Sequence, residues 1–207
     1  MRKICFVTGT RAEYGLLSRL MRLVKEDKDL RLQVIATNMH LMPEYGETYK
    51  EIEKDGFTID KKVYMHKPSD DAHGIISSMA EEMQGMNDAL SELKPDILVL
   101  LGDRYEIIVA AQVALIHRVP IAHIHGGEVT EGAFDDAIRH SVTKMSSLHF
   151  TSCEEYRHRV IQMGEQPSRV FDVGSLGVEN IKAVPLMTKD ELEASLDFKI
   201  DTQTILV

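Results

Sequence analysis

Five consecutive apolar residues, Ile97-Leu98-Val99-Leu100-Leu101, constrain this chain more than any other feature. Pro95-Asp96 stands before the run and Gly102-Asp103 after it, so it reads as a strand with sharp ends. A strand without a polar face must be covered on both sides, as in the middle of a parallel sheet. Parallel neighbours in turn need crossover connections, and helices usually supply them.

The rest of the chain supplies such partners. Further apolar runs at residues 4–7, 32–36, 57–63, 120–125, 149–152 and 170–173 read as strands. Leu16, Leu17, Leu20, Met21, Leu23 and Val24 follow the first run at helical spacing. Other helices are expected over 44–54, about 75–93, 105–117, about 135–146 and 154–163, with a polar loop holding Pro68, Asp70 and Asp71 at 66–73. Lys61-Lys62 suits an edge strand, because edge charges discourage further pairing. Strands alternating with helices predict an α/β fold, a doubly wound parallel sheet. Beyond residue 174 the pattern changes to loop and short helix as far as 184, then a capped helix over 188–196 with acidic residues early. Thr204-Ile205-Leu206-Val207 begins another strand-like run. The expected division is therefore a domain over 1–175, then a connector over 176–207 that ends in the first strand of a further domain.

Composition narrows the partners. The chain has 207 residues, 43% hydrophobic and 28% charged, enough to bury a sizeable core. A net charge of −9 argues against nucleic acid or an anionic membrane as partner, while leaving room for an anionic small substrate held by local cations. Two cysteines, Cys5 and Cys153, do not make a disulfide framework, and Cys5 sits in an apolar run as a core residue would. The run at 4–7 is too short for a signal peptide and no stretch reaches membrane-span length, so the cytoplasm is the expected compartment.

In an open doubly wound sheet, ligands bind outside the carboxyl ends of the strands. Three such ends carry chemistry here. The first is Gly9-Thr10-Arg11-Ala12-Glu13, where a strand turns into a helix whose N-terminus offers amides to an anion and where Arg11 adds a planar cation. It matches neither the dinucleotide fingerprint nor a Walker loop. A tight turn with Arg11 paired to a carboxylate is the alternative. The second end is Gly102-Asp103-Arg104-Tyr105-Glu106, where Asp103 is either a helix N-cap, a catalytic carboxylate, or both. The third is Ala122-His123-Ile124-His125-Gly126-Gly127-Glu128. Alternation puts His123 and His125 on one face of a strand. The readings for this segment are acid–base chemistry on a small substrate, a buried hydrogen-bonded pair, or metal binding with the nearby carboxylates. Asp135, Asp136, Arg139 and His140, at the start of the next helix, lie within reach of the same crevice, or else pair among themselves on its surface.

Those three segments, followed by Asp135-Asp136-Ala137-Ile138-Arg139-His140 and Thr143-Lys144, together resemble the UDP-N-acetylglucosamine 2-epimerases. The similarity is greatest to the hydrolysing branch, which forms N-acetylmannosamine for sialic and related nonulosonic acids, and it extends along essentially the whole chain. The resemblance implies two Rossmann-like domains of GT-B type with the site in the cleft between them, this chain being the first. It implies UDP expulsion through a glycal followed by rehydration, without NAD, obligatory metal or other cofactor. It also implies a UDP-sugar partner, a possible homodimer, and little activity in an isolated first domain. Carried over by motif, Asp103 and Asp135 match catalytic acids. His125 stands where the family has a catalytic Glu, so His125 or Glu128 takes that role. Gly9, Arg11, Glu13, Arg104, His123, Asp136, Arg139 and His140 are the implied substrate-binding residues, with Arg11 toward the phosphates. A non-hydrolysing 2-epimerase and a UDP-sugar glycosyltransferase of the same architecture are the alternative functions.

Overall fold

The computed structural model describes residues 1–66, 69, 71–183 and 185–201. Seven parallel strands form one sheet: β1 (Arg2–Thr8), β2 (Leu30–Thr37), β3 (Lys61–Val63), β4 (Ile97–Leu101), β5 (Ile121–Ile124), β6 (Leu148–Thr151) and β7 (Val170–Asp172). Their spatial order is β3-β2-β1-β4-β5-β6-β7, so the direction of winding reverses between β1 and β4. Among the described residues, eight α-helices connect or follow the strands: α1 (Arg11–Glu26), α2 (Tyr49–Lys54), α3 (Ala72–Leu93), α4 (Tyr105–Ile116), α5 (Asp135–Met145), α6 (Glu154–Gln162), α7 (Leu176–Ala183) and α8 (Lys189–Leu196).

Strand alternation divides the core in two. Cys5, Val7, Ile35, Leu98, Leu100 and Ile121 face one side, where α3, α4 and α5 cover them with Met86, Leu90, Ile107, Ala110 and Val142. Ile4, Phe6, Val34, Val99, Leu101 and Ile124 face the other, against Tyr14, Leu17 and Met21 of α1. At about 25 cal/mol per Å² of apolar surface, these two layers are the principal stabilising contribution. Cys5 is buried and free, as its apolar run implied.

Three local expectations change. The helix expected over 44–54 survives only as α2, because Pro43–Tyr45 forms a 3-10 turn and Gly46 is left-handed at φ 83°. The strand expected over 57–63 is reduced to its last three residues, although it does lie at the sheet edge. α3 begins earlier than its apolar spacing suggests, because Asp71 caps it by accepting from the Gly74 amide at 2.8 Å. In the tail, α7 packs back on α1, with Asn180 donating to the Gly15 carbonyl at 2.9 Å. α8 starts with a full capping box between Thr188 and Glu191. Pro68, Asp70, Val184 and the run at 204–207 lie outside the described residues.

Candidate functional site

The carboxyl ends of β1, β4 and β5 lie side by side at the reversal of strand order. At the first end, Thr10 caps α1 by accepting from the Glu13 amide at 3.3 Å. Glu13 answers by accepting from the amides of Gly9 at 2.8 Å and Thr10 at 3.2 Å. Two amides that could have met an external anion are therefore taken by the chain's own carboxyl group. Glu13 is buried, and that burial together with Glu106 pushes its pKa up to about 8. Arg11 is well exposed and forms an ion pair with Glu51 at 2.8 Å, the carboxylate pairing raised as its alternative.

The second and third ends converge on one buried cation. Arg139 of α5 is only 7% exposed and reaches four groups. It forms an ion pair with Asp103, bonds the Thr130 hydroxyl at 3.1 Å, meets Glu128 at 3.3 Å and donates to the His125 carbonyl at 3.0 Å. Asp103 does not cap α4. Arg104 occupies the cap position, and the carboxylate of Asp103 turns to Arg139 instead. Burial raises the pKa of Asp103, Arg139 opposes the rise, and the negative charge of Asp135 adds to it. Arg104 is half-buried and pairs with Glu106 at 2.6 Å.

His125 leaves the strand pattern. β5 ends at Ile124, and His125 adopts φ 63°, a left-handed conformation uncommon for a side chain of this size. The alternation rule that put it on one face with His123 therefore stops one residue short. Its Nδ1 lies 3.5 Å from Glu128, and its buried Nε2 has no hydrogen-bond partner among the described residues. Burial lowers its pKa while Glu128 partly offsets this, so the ring is neutral near pH 7. The Ser152 hydroxyl holds the other side of the picture, donating to Glu128 at 2.6 Å.

His123 is fully buried, with both ring nitrogens engaged by Gly102 and Thr143. It sits behind the crevice rather than in it, and its lone pairs are not presented to a metal. Among the described residues, no group of three or more His, Cys, Asp and Glu side chains is placed to hold a metal ion. Asp136 accepts from the Thr130 amide at 3.0 Å and lies 3.7 Å from His140, the same-helix pairing considered from the sequence. Asp135 and Asp136 open α5 without capping it, since Phe134 holds the cap position.

The structure thus gathers Asp103, His125, Glu128 and Arg139 into one constellation, with Asp135 close enough to act on Asp103. It separates Glu13 and His123, which are buried inside the framework. Sequence reasoning missed Glu82 and gave Glu106 no role beyond its place in the second strand end, yet both are fully buried carboxyl groups near Glu13. The signal for Glu82 was available, because it lies on the buried stripe of α3 with Ser78 and Met86. Thr143 lies on the buried stripe of α5 with Arg139, whereas Thr130 and Ser152, which also tie the constellation together, carried no such signal.

Comparison with known proteins bears on the family and the fold. The family model for UDP-N-acetylglucosamine 2-epimerase matches residues 22–207. The chain is 48% identical to the GDP/UDP-N,N'-diacetylbacillosamine 2-epimerase (hydrolyzing) of Campylobacter jejuni, over 100% of this chain and 53% of that protein. It is 46% identical to the polysialic acid biosynthesis protein P7 of Escherichia coli, over 93% of this chain and 49% of that protein. The UDP-GlcNAc 2-epimerase of Neisseria meningitidis bound to UDP-GlcNAc shares the fold with a TM-score of 0.77 at 19% identity, covering 94% of this chain and 53% of that one. The chain spans about half the length of these relatives. On the extent of the family match, the chain belongs to the UDP-N-acetylglucosamine 2-epimerase family.

Proposed function

We propose that the chain forms one wall of the active site of a hydrolysing UDP-N-acetyl-sugar 2-epimerase. The observation that carries this reading is the Arg139-centred cluster, which joins Asp103 and Glu128 at the strand ends and brings Glu128 to 3.5 Å from the ring of His125. The reaction assigned to it breaks the sugar C2–H and C1–O bonds, forms a C1=C2 glycal and releases UDP. Water then adds at C1 while C2 takes a proton from the opposite face. The products are UDP and the free 2-epimer, which is N-acetylmannosamine when the substrate is UDP-N-acetylglucosamine.

In this scheme neutral His125 is a proton acceptor, steadied by Glu128 3.5 Å away. Asp103 stands at the other end of the cluster as the carboxylate partner of Arg139, with Asp135 close by. Developing positive charge at C1 meets these carboxyl groups. Arg11 and Arg104 serve the diphosphate, while Asp136 and His140 border the sugar. The buried residues Glu13, His123 and Arg139 shape the wall without touching the substrate. The connector from 176 onward leads to a second domain that completes the nucleotide site. A homodimer belongs to the same proposal, and the exposed apolar side chains Met83 of α3 and Ile116 of α4 suit such a contact.

Because the Campylobacter jejuni relative is named for N,N'-diacetylbacillosamine, UDP-linked di-N-acetylated 6-deoxy sugars are substrates to compare with UDP-N-acetylglucosamine. The test is product analysis with the protein extended to the length of its relatives. UDP and a free 2-epimer in equal amounts support the proposal. A recovered UDP-linked 2-epimer assigns the non-hydrolysing reaction instead, and UDP release that depends strictly on an added acceptor assigns glycosyl transfer. Rapid turnover by the 207-residue chain alone contradicts the need for a second domain.

A further inference from the structure

The Gly102–Asp103 peptide is held from behind. Gly102 has φ 79°, its amide donates to the Ile124 carbonyl at 3.1 Å, and its own carbonyl lies 2.8 Å from Nε2 of His123. A carbonyl oxygen only accepts, so the ring proton must sit on Nε2. The single proton of the Thr143 hydroxyl then faces two acceptors, the Arg139 carbonyl at 3.0 Å and Nδ1 at 3.1 Å. Gly126 closes over this pair: a Cβ there would lie 3.0 Å from the Thr143 hydroxyl and 3.1 Å from Nδ1. Arg139 in turn grips the carboxylate of Asp103.

These contacts form a closed ring. It runs from the Asp103 carboxylate through the Arg139 side chain to its backbone, through Thr143 and His123 to the Gly102 carbonyl, and back to Asp103. We propose that His123 is the positioning residue of Asp103, a permanently neutral imidazole whose Nε2 proton fixes the peptide that presents the Asp103 carboxyl group to the sugar. The inference rests on the function proposed above for its consequence in catalysis, but its geometry stands apart from any substrate. Complete burial supports it, lowering the ring pKa to about 3 and keeping the Nε2–H form across the physiological range.

The experiment uses nuclear magnetic resonance on this chain without substrate. Long-range proton–nitrogen spectra should show His123 as the Nε2–H tautomer from pH 5 to pH 9. A Nδ1–H ring, or a ring that takes up a proton within this range, overturns the proposal without any variant. The Asp103 carboxyl carbon is then titrated in three substitutions. Replacing the ring by His123→Leu frees the peptide, so Asp103 loses its alignment with Arg139 and titrates about one unit higher. His123→Gln places an amide donor near the Nε2 position and should hold the titration within a few tenths of a unit of the original. His123→Asn places one near Nδ1 and should behave as His123→Leu does. Rescue by Asn rather than Gln, or an Asp103 titration unmoved by His123→Leu, overturns the proposal. Since none of these readouts involves turnover, failure to convert a UDP-sugar leaves them standing as a separate result.

Discussion

Glu13→Gln isolates the effect of burying a carboxyl group at the α1 turn. Glu106 lies close enough to raise the pKa of both Glu13 and Glu82, and each of the three has one buried oxygen without a partner among the described residues. Glu13 moves from 4.5 to about 8. The folded state therefore holds this proton more tightly than the unfolded chain does. Its stabilising contribution is complete below pH 4.5 and is lost as pH rises through 8. A displacement of about 3.5 units, the difference between those two values, corresponds to about 5 kcal/mol. Part of that displacement comes from the charge of Glu106, so the share removed with Glu13 is about 2–5 kcal/mol. The glutamine carbonyl can still accept from the Gly9 and Thr10 amides, so the capping box is retained. Urea denaturation between pH 5 and pH 9 is the assay. The parent chain should lose stability steeply across this range, with a flatter profile for Glu13→Gln. The two should nearly coincide at pH 5, and the variant should be the more stable at pH 9. A parent profile that is flat, with the variant weaker at every pH, would refute the reasoning. It would mean that Glu13 is a charged cap stabilised by the helix N-terminus.

Arg139→Leu leaves Asp103 and Glu128 without their buried partner and should cost about 3–5 kcal/mol in urea denaturation, with Arg139→Lys recovering only part of it. A loss below about 1 kcal/mol would show that the ion pairs contribute little. Gly126→Ala should cost about 1–3 kcal/mol, because neither His123 nor Thr143 has room to retreat from the added methyl group. Thermal unfolding that leaves the midpoint unchanged would argue that this contact is loose. In the protein extended to the length of its relatives, His125→Glu should alter the pH dependence of kcat, since a carboxyl group replaces an imidazole. An unchanged rate and profile would remove His125 from the acid–base role.

Much of the fold is legible in the sequence. Ile97–Leu101 is apolar throughout because β4 is covered on both faces, and Leu16 to Val24 repeat at helical spacing because one side of α1 packs on the sheet. These are local consequences of burial, and sequence records them directly. Where a short turn intervened, as at Pro43 and Gly46, helix composition alone misled.

The site was only partly legible, for a physical reason. The sequence by itself determined which chemistry-bearing residues stand at the strand ends, since a strand's end and the helix after it are neighbours in the chain. It did not determine their partners. Arg139 meets Asp103 across 36 positions, and His123 meets Gly102 across 21, so both pairings follow from strand order and helix packing. Tertiary structure alone decided that Glu13 is enclosed in a buried carboxyl cluster, that His123 is sealed behind the crevice, and that His125 turns out of the strand. Burial and the nearest opposite charge set each group's protonation, and both depend on what the fold brings close in space.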